Sequence, residues 1–273
     1  MLYDLVLLMS LNYLVFSQEI FFYNHSINRP LSSLSRPGSW NKTKSAGERR
    51  AREYVKGLIK TYKTREKYLG NRLGVSDPLI TSFVASFKHK DTEDQKKCWE
   101  EILKDFGSKK PLNRLICGDV GFGKTELAIR SVFVAGVNGF SSLVLAPTTI
   151  LAKQLYRSFS DRLSPYGLSV GYLSRFVKKS DHARVFKGFL TNNIEVLVGT
   201  HSIINNKDCL KKASLVVVDD EHRFGVKQKE LVKEFNPRVN VLYMSATPIP
   251  RTLKLALSKF KGMSVLSSPP SFK

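Results

Sequence analysis

The feature that most limits what this chain can become is the stretch Gly118-Asp119-Val120-Gly121-Phe122-Gly123-Lys124-Thr125, set between an apolar run and a helix-period segment. It satisfies the spacing G-x-x-x-x-G-K-[ST]. Glycines let such a loop turn sharply and aim several backbone N–H groups at one point, and the positive end of the following helix lies behind them. That arrangement suits phosphate. Lys124 is expected to contact the terminal phosphates, and Thr125 to place its hydroxyl on a Mg²⁺ that bridges them.

A loop of this kind needs a strand leading in and a helix leading out, and the rest of the chain supplies the same alternation. Short runs of Val, Leu and Ile without polar alternation occur at residues 114–117, 143–146, 194–198, 215–218 and 241–244, and helix-period segments follow Thr125, Thr149, Ser180 and Val226. Runs of this type suit strands covered on both faces. The expected fold class is therefore α/β, a parallel sheet with helices on both faces and ligand chemistry at the carboxyl ends of the strands. The run at 215–218 leads into Asp219-Asp220-Glu221-His222. Asp219, first past the strand, is the natural partner for Mg²⁺, and the next carboxylate can orient an attacking water. A plainer role for the cluster is to cap a following helix.

With 44 Lys and Arg against 23 Asp and Glu, the 273-residue chain carries a formal charge of +21, which favours phosphate-rich or anionic partners. Cys98, Cys117 and Cys209 are too scattered for a disulfide framework or a four-ligand zinc site and read as buried thiols in a reducing compartment. The first 23 residues are rich in Leu, Val and Phe. Asp4 nevertheless stands where a signal peptide is positive, Ser10 and Asn12 interrupt the run, and no small-residue cleavage site follows. Residues 3–9 and 13–23 read instead as two extended segments, so no membrane is expected and the sequons at Asn24 and Asn41 carry no meaning. Residues 28–45 have linker composition. Within residues 47–69, Ala51, Val55, Leu58, Ile59 and Tyr62 share one helical face, and Lys and Arg occupy the rest. Those basic residues form either a solvated face or an electrostatic footprint on DNA or a partner.

Several further segments fall into a known order. Phe87 with Thr92-Glu93-Asp94-Gln95, the loop 118–125, Ala146 to Ala152, Leu173-Ser174-Arg175-Phe176, Gly199-Thr200-His201, Asp219 to Gly225, and Ser245 to Leu253 resemble the motor motifs of superfamily 2 helicases. Within that superfamily they look most like the transcription-repair coupling factors. Phe122 and Glu221-His222-Arg223-Phe224-Gly225-Val226 are more similar to that family than to the RecG fork-regression helicases, which tend to carry Ser and Gln there. The likeness is dense over residues 87–270. Upstream it is weak: residues 3–23 look like the closing strands of the family's RNA-polymerase-interacting domain, and residues 40–69 like its connecting helix.

The resemblance implies a RecA-like P-loop NTPase domain over residues 86–273, preceded by a β remnant at 1–35 and a linker with a basic helix at 36–85. It implies ATP and Mg²⁺ as cofactors and double-stranded DNA, RNA polymerase and nucleotide-excision-repair proteins as partners. The setting would be cytoplasmic, of bacterial or organellar type. Phe87 and Gln95 would recognise adenine. Lys124, Asp219, Asp220, Glu221 and His222 would serve catalysis, with Thr125 and Asp219 on the metal. Thr148, Arg175 and Thr200 would touch the DNA backbone, and Ser245 and Thr247 would couple nucleotide state to DNA grip near His222. Residue chemistry leaves other roles open. Thr92 and Gln95 have the spacing of a capping box ahead of a helix whose Trp99, Ile102, Leu103 and Phe106 face inward, and isolated threonines such as Thr148 and Thr200 commonly cap helices.

Two departures stand out. The family pattern is Asp-Glu-Glu-His, whereas Asp220 is one methylene shorter than the usual glutamate, and a misplacement of about 1 Å can cost about a hundredfold in rate. The family motor also has a second RecA-like domain that supplies arginines, and the present sequence stops at Lys273, before it. The leading expectation is the first motor domain of an ATP-dependent double-stranded DNA translocase in transcription-coupled repair, weak as an ATPase by itself. The alternatives are a nucleotide-gated module that binds DNA or RNA polymerase, and a fragment of a RecG-like helicase. A small-molecule kinase would have no use for Ser245 to Leu253.

Overall fold

The computed structural model of the protein describes residues 68–219, 226–246 and 262–270. The segments expected within residues 1–67 lie outside the described residues, as do Asp220, Glu221, His222 and Thr247.

Along the described chain the elements are α1 (Pro78–Ala85), α2 (Glu93–Phe106), β1 (Asn113–Gly118), α3 (Lys124–Val137), β2 (Ser142–Ala146), α4 (Thr149–Leu163), β3 (Val170–Leu173), α5 (Lys179–Leu190), β4 (Val196–Thr200), α6 (Lys207–Lys212), β5 (Leu215–Val218), α7 (Val226–Phe235), β6 (Asn240–Ser245) and β7 (Gly262–Leu266). The strands form one sheet in the order β3-β4-β2-β5-β6-β1-β7, with every neighbouring pair parallel.

The apolar runs explain why the strands are buried on both sides. In β5, Leu215 and Val217 belong to one core, and Val216 and Val218 to the other. The same alternation holds in β2, where Val144 and Ala146 face the first core and Leu143 and Leu145 the second. Each such side chain stabilises the fold by about 1.5–3 kcal/mol for a Val or Leu fully removed from water. The first core is closed by α1 to α4, through residues such as Phe83, Ile102, Phe133 and Phe159, and the second by α5 to α7, through Phe189, Leu210 and Val232. The five strands expected from sequence are all present, and the sheet gains β3 and β7 at its two edges.

Three sets of contacts tie the sheet and its helices together. Asn71 and Asn240 lace the amino edge: Asn240 Nδ2 donates to Asn71 O at 3.2 Å, and Leu112 N donates to Asn240 Oδ1 at 2.7 Å. Phe83 stacks on Phe133 with centroids 3.9 Å apart, so α1 is packed on α3 and the folded body reaches upstream of residue 86. On the β7 side of the sheet Arg114 of β1 donates to Glu101 and Asp105 of α2, at 2.7 Å each, and to Ser264 of β7 at 2.8 Å. Among the described residues no helix is long and apolar enough to cross a membrane.

Candidate functional site

All strands are parallel, so every carboxyl end emerges on one edge of the sheet. The phosphate-loop signature begins where β1 ends, at Gly118. Gly121 has φ 85° and Gly123 φ 78°, left-handed angles at which most other residues are strained. Gly123 is also the N-cap of α3, so the amino end of that helix opens toward the loop. Lys124 Nζ donates to the carbonyls of Gly118, at 2.6 Å, and Asp119, at 2.7 Å. Asp119 Oδ1 accepts from Val120 N at 3.1 Å, while Thr125 is half-buried at the start of α3.

The tip of β5 stands on the same edge. Asp219 N donates to Leu145 O at 2.8 Å, which extends the β5–β2 ladder by one residue and holds the carboxylate at the strand end. Between β5 and β1 lies β6, whose Ser245 is paired with Cys117. Two strand spacings, about 10 Å, therefore separate the lines of β1 and β5. Lys124, Thr125, Ser245 and Asp219 are thus gathered at three adjacent strand tips.

Gln95 proves to do two jobs. Its backbone N donates to Thr92 Oγ1 at 3.2 Å, and its Oε1 accepts from Thr92 N at 2.9 Å, the reciprocal capping box at the start of α2. Its Nε2 donates to Phe122 O at 3.0 Å, so the same side chain, 5% exposed, braces the phosphate loop. Phe87 is half-buried beside this loop.

Three of the other four tips hold the residues singled out for DNA. Thr148 follows β2, Thr200 ends β4 and Arg175 follows β3, and these strands are consecutive in the sheet. Thr148 Oγ1 accepts from Leu151 N at 3.3 Å and so caps α4. Thr200 is 6% exposed and its hydroxyl bonds Ser202 Oγ at 3.1 Å rather than capping the short 3-10 turn that follows. Arg175 is exposed, with its guanidinium 5.0 Å from the centre of the Phe176 ring, itself 74% exposed. The turn carrying them is held by Phe176 N donating to Ser174 Oγ and Val177 N to Ser174 O.

Sequence reasoning missed a buried ionic network that joins these regions. Arg130 on α3 donates to both oxygens of Asp91, at 2.7 and 2.9 Å, and to Glu126 at 3.1 Å. Arg162 on α4 donates to the same Glu126 oxygen at 2.9 Å. Burial works to lower the Arg130 pKa, but its bonds to Asp91 and Glu126 outweigh that and hold it above its ordinary value. Glu126 and Arg130 sit four residues apart on one helix, a signal the sequence does carry; nothing local marks Asp91 or Arg162 as their partners.

The donor set suits a magnesium nucleotide. Among the described residues no group of three or more His, Cys, Asp or Glu side chains is placed to hold a metal. Asp219 and Thr125 offer a carboxylate and a hydroxyl at this edge, oxygen ligands of the type that hold Mg²⁺ together with a ligand's phosphates.

Comparison with known proteins agrees with this architecture. Residues 92–256 match the DEAD/DEAH box helicase family. A chloroplastic ATP-dependent DNA helicase of Arabidopsis thaliana is 42% identical over 246 residues, covering 89% of this chain and 30% of the relative. The transcription-repair-coupling factor of Borreliella burgdorferi is 40% identical over 232 residues, covering 85% of this chain and 21% of the relative. The chain thus spans less than a third of the length of either. The structure of RecG bound to a three-way DNA junction superposes with a TM-score of 0.68 at 33% identity, covering 84% of this chain and 32% of that one. A DEAD box protein from Methanococcus jannaschii, at 21% identity and a TM-score of 0.54, shares the fold. The likeness to the transcription-repair coupling factors therefore holds in sequence, and the likeness to a helicase motor in structure, through RecG. A phosphate loop at β1, an acidic tip at β5 and a family match across both are the grounds on which the chain belongs to the DEAD/DEAH box helicases, a family of nucleoside-triphosphate-driven motors.

Proposed function

We propose that this chain is the nucleotide- and DNA-binding half of an ATP-driven double-stranded DNA translocase of the transcription-repair-coupling kind. The observation that carries the reading is the division of one carboxyl edge between two sets of tips. The phosphate loop, Ser245 and Asp219 occupy β1, β6 and β5, while Thr148, Thr200 and Arg175 occupy the ends of β2, β4 and β3. A nucleotide and a nucleic-acid strand bound there would share one rigid sheet.

In this reading the amides from Gly121 to Thr125 hold the triphosphate of ATP. Lys124 leaves the neutral carbonyls of Gly118 and Asp119 for charged phosphate oxygens, which accept stronger hydrogen bonds. Thr125 and Asp219 would hold Mg²⁺, which supplies charge neutralisation at the β and γ oxygens when bound. Asp220 orients the attacking water, with Glu221 and His222 beside it, and Phe87 with Gln95 faces adenine. Ser245, at the β6 tip, and Thr247 relay nucleotide state toward Thr148, Arg175 and Thr200 on the DNA backbone. Contacts of that type position a protein on DNA without reading its sequence. RNA polymerase and nucleotide-excision-repair proteins are the further partners of this reading, in a bacterial or organellar interior.

These 273 residues alone should bind Mg-ATP yet hydrolyse it slowly, since an arginine supplied by a closing partner is worth roughly 10³–10⁵ in rate. One observation favours a second reading, a nucleotide-gated binding module: Asp220 stands where the family carries glutamate. Turnover measured with double-stranded DNA, with and without a second motor domain supplied in trans, separates the two. The translocase reading expects DNA-stimulated turnover on complementation and a further rise of about tenfold or more in Asp220→Glu. Turnover that stays absent after both changes establishes the binding module instead. Unchanged ATP binding in Lys124→Ala removes the nucleotide site from either.

A further inference from the structure

Phe87 lies in the connection between α1 and α2, and its ring is surrounded by charge. The Arg130 guanidinium carbon is 5.4 Å from the ring centre, that of Arg162 5.5 Å, and the His89 ring meets it edge to face at 5.3 Å. Neither arginine is free to leave. Arg130 is 1% exposed and locked to Asp91 and Glu126. Arg162 is held by Glu126, by Ser86 Oγ at 2.9 Å and by Phe83 O at 3.2 Å, and its guanidinium lies 4.4 Å from the Phe83 ring centre. The connection is therefore pinned on both sides of Phe87, at Ser86 and at Asp91.

Taking two guanidiniums and two carboxylates largely out of water, with Arg130 and Glu126 buried and Arg162 and Asp91 partly so, is a poor way to gain stability, because desolvation cancels much of the attraction; what such a network can do is hold one geometry. Two guanidiniums over the ring and an imidazole at its side fix the orientation of Phe87, which is only half-buried and so keeps part of its surface open to a ligand. We infer that Arg162 and Arg130 are positioning residues for base recognition, holding Phe87 at the angle at which it receives adenine. The inference rests on the reading of Phe87 as an adenine contact. It also joins α4, whose first turn is capped by Thr148, to the ring through a single side chain.

The test uses the whole chain and two competitors for a fluorescent ADP: ATP, and inorganic tripolyphosphate, which has the phosphates without the base. Arg162 is 22% exposed and is the safer position to change; Asp91 probes the network from its other end. Phe87→Ala, Arg162→Gln and Asp91→Asn are each expected to lower the ratio of ATP to tripolyphosphate affinity about fivefold, with tripolyphosphate binding unchanged. A merely structural role would weaken both competitors together and leave the ratio where it was, which overturns the inference. If Phe87→Ala lowers the ratio but neither network variant does, the positioning role is lost and the adenine reading survives. A wild-type ratio in Phe87→Ala removes both.

Discussion

Gly123 carries more of the site than a residue without a side chain would suggest. Its φ of 78° is left-handed, and a Cβ built there would run into the Gln95 amide that braces Phe122. Gly123→Ala should combine a backbone penalty of about 1–2 kcal/mol with displacement of that amide. We expect a lower melting temperature and ATP binding weakened by about tenfold or more, read by calorimetry; wild-type affinity would show that the brace is dispensable. The glycine itself was legible from spacing, because its conformational demand is local. The bond from Gln95 to a carbonyl 27 residues away was not, since the spacing of Thr92 and Gln95 announces only the capping box. The cysteines were readable as buried thiols: burial pushes Cys98 up to about 11 and Cys209 to about 12, and Cys117 is enclosed as well.

Among elements, the edge strands were the hardest to foresee. Central strands such as β5 are continuous apolar runs, because both faces are covered. In β3 and β7 burial is partial, and glycines at 171 and 262 dilute the pattern. β7 is recruited by distant partners: it pairs with β1 about 150 residues earlier and is clasped by α2. Asp94, in the first turn of α2, accepts from Ser267 N at 2.8 Å and Ser268 N at 3.0 Å just beyond β7. The Ser267 amide is the main cause that holds its carboxyl below the ordinary 3.8, against a smaller opposing effect of desolvation. A depressed carboxyl stabilises the fold in its ionised form. The contribution is therefore complete well above the ordinary value and is lost as pH falls through the lowered one. Urea midpoints measured from about pH 6 down to about pH 2.5 should show wild type and Asp94→Asn separated at the upper end and converging at the lower. A separation independent of pH would mean that the charge contributes nothing.

At the scale of the molecule, the charge of +21 and the sheet order act together. If the tips of β2, β4 and β3 meet a phosphate backbone, each neutralised phosphate adds about −0.9 to the slope of log affinity against log salt. Arg175→Ala should then weaken double-stranded DNA binding and make that slope shallower by about one, with ATP affinity intact. An unchanged slope would take Arg175 off the DNA. By itself the sequence determined the phosphate loop, the acidic tip of β5, the central strands and the motor family, because each depends on backbone angles or apolar periods that neighbouring residues specify. Only the tertiary structure decided that the tips of β1, β6 and β5 stand side by side and those of β2, β4 and β3 beside them, that residues 70–85 belong to the folded body, and that Glu126 joins Arg130 to Arg162 near Phe87. Those facts follow from strand order and from side chains meeting across distant segments, and no local pattern encodes which segments will meet.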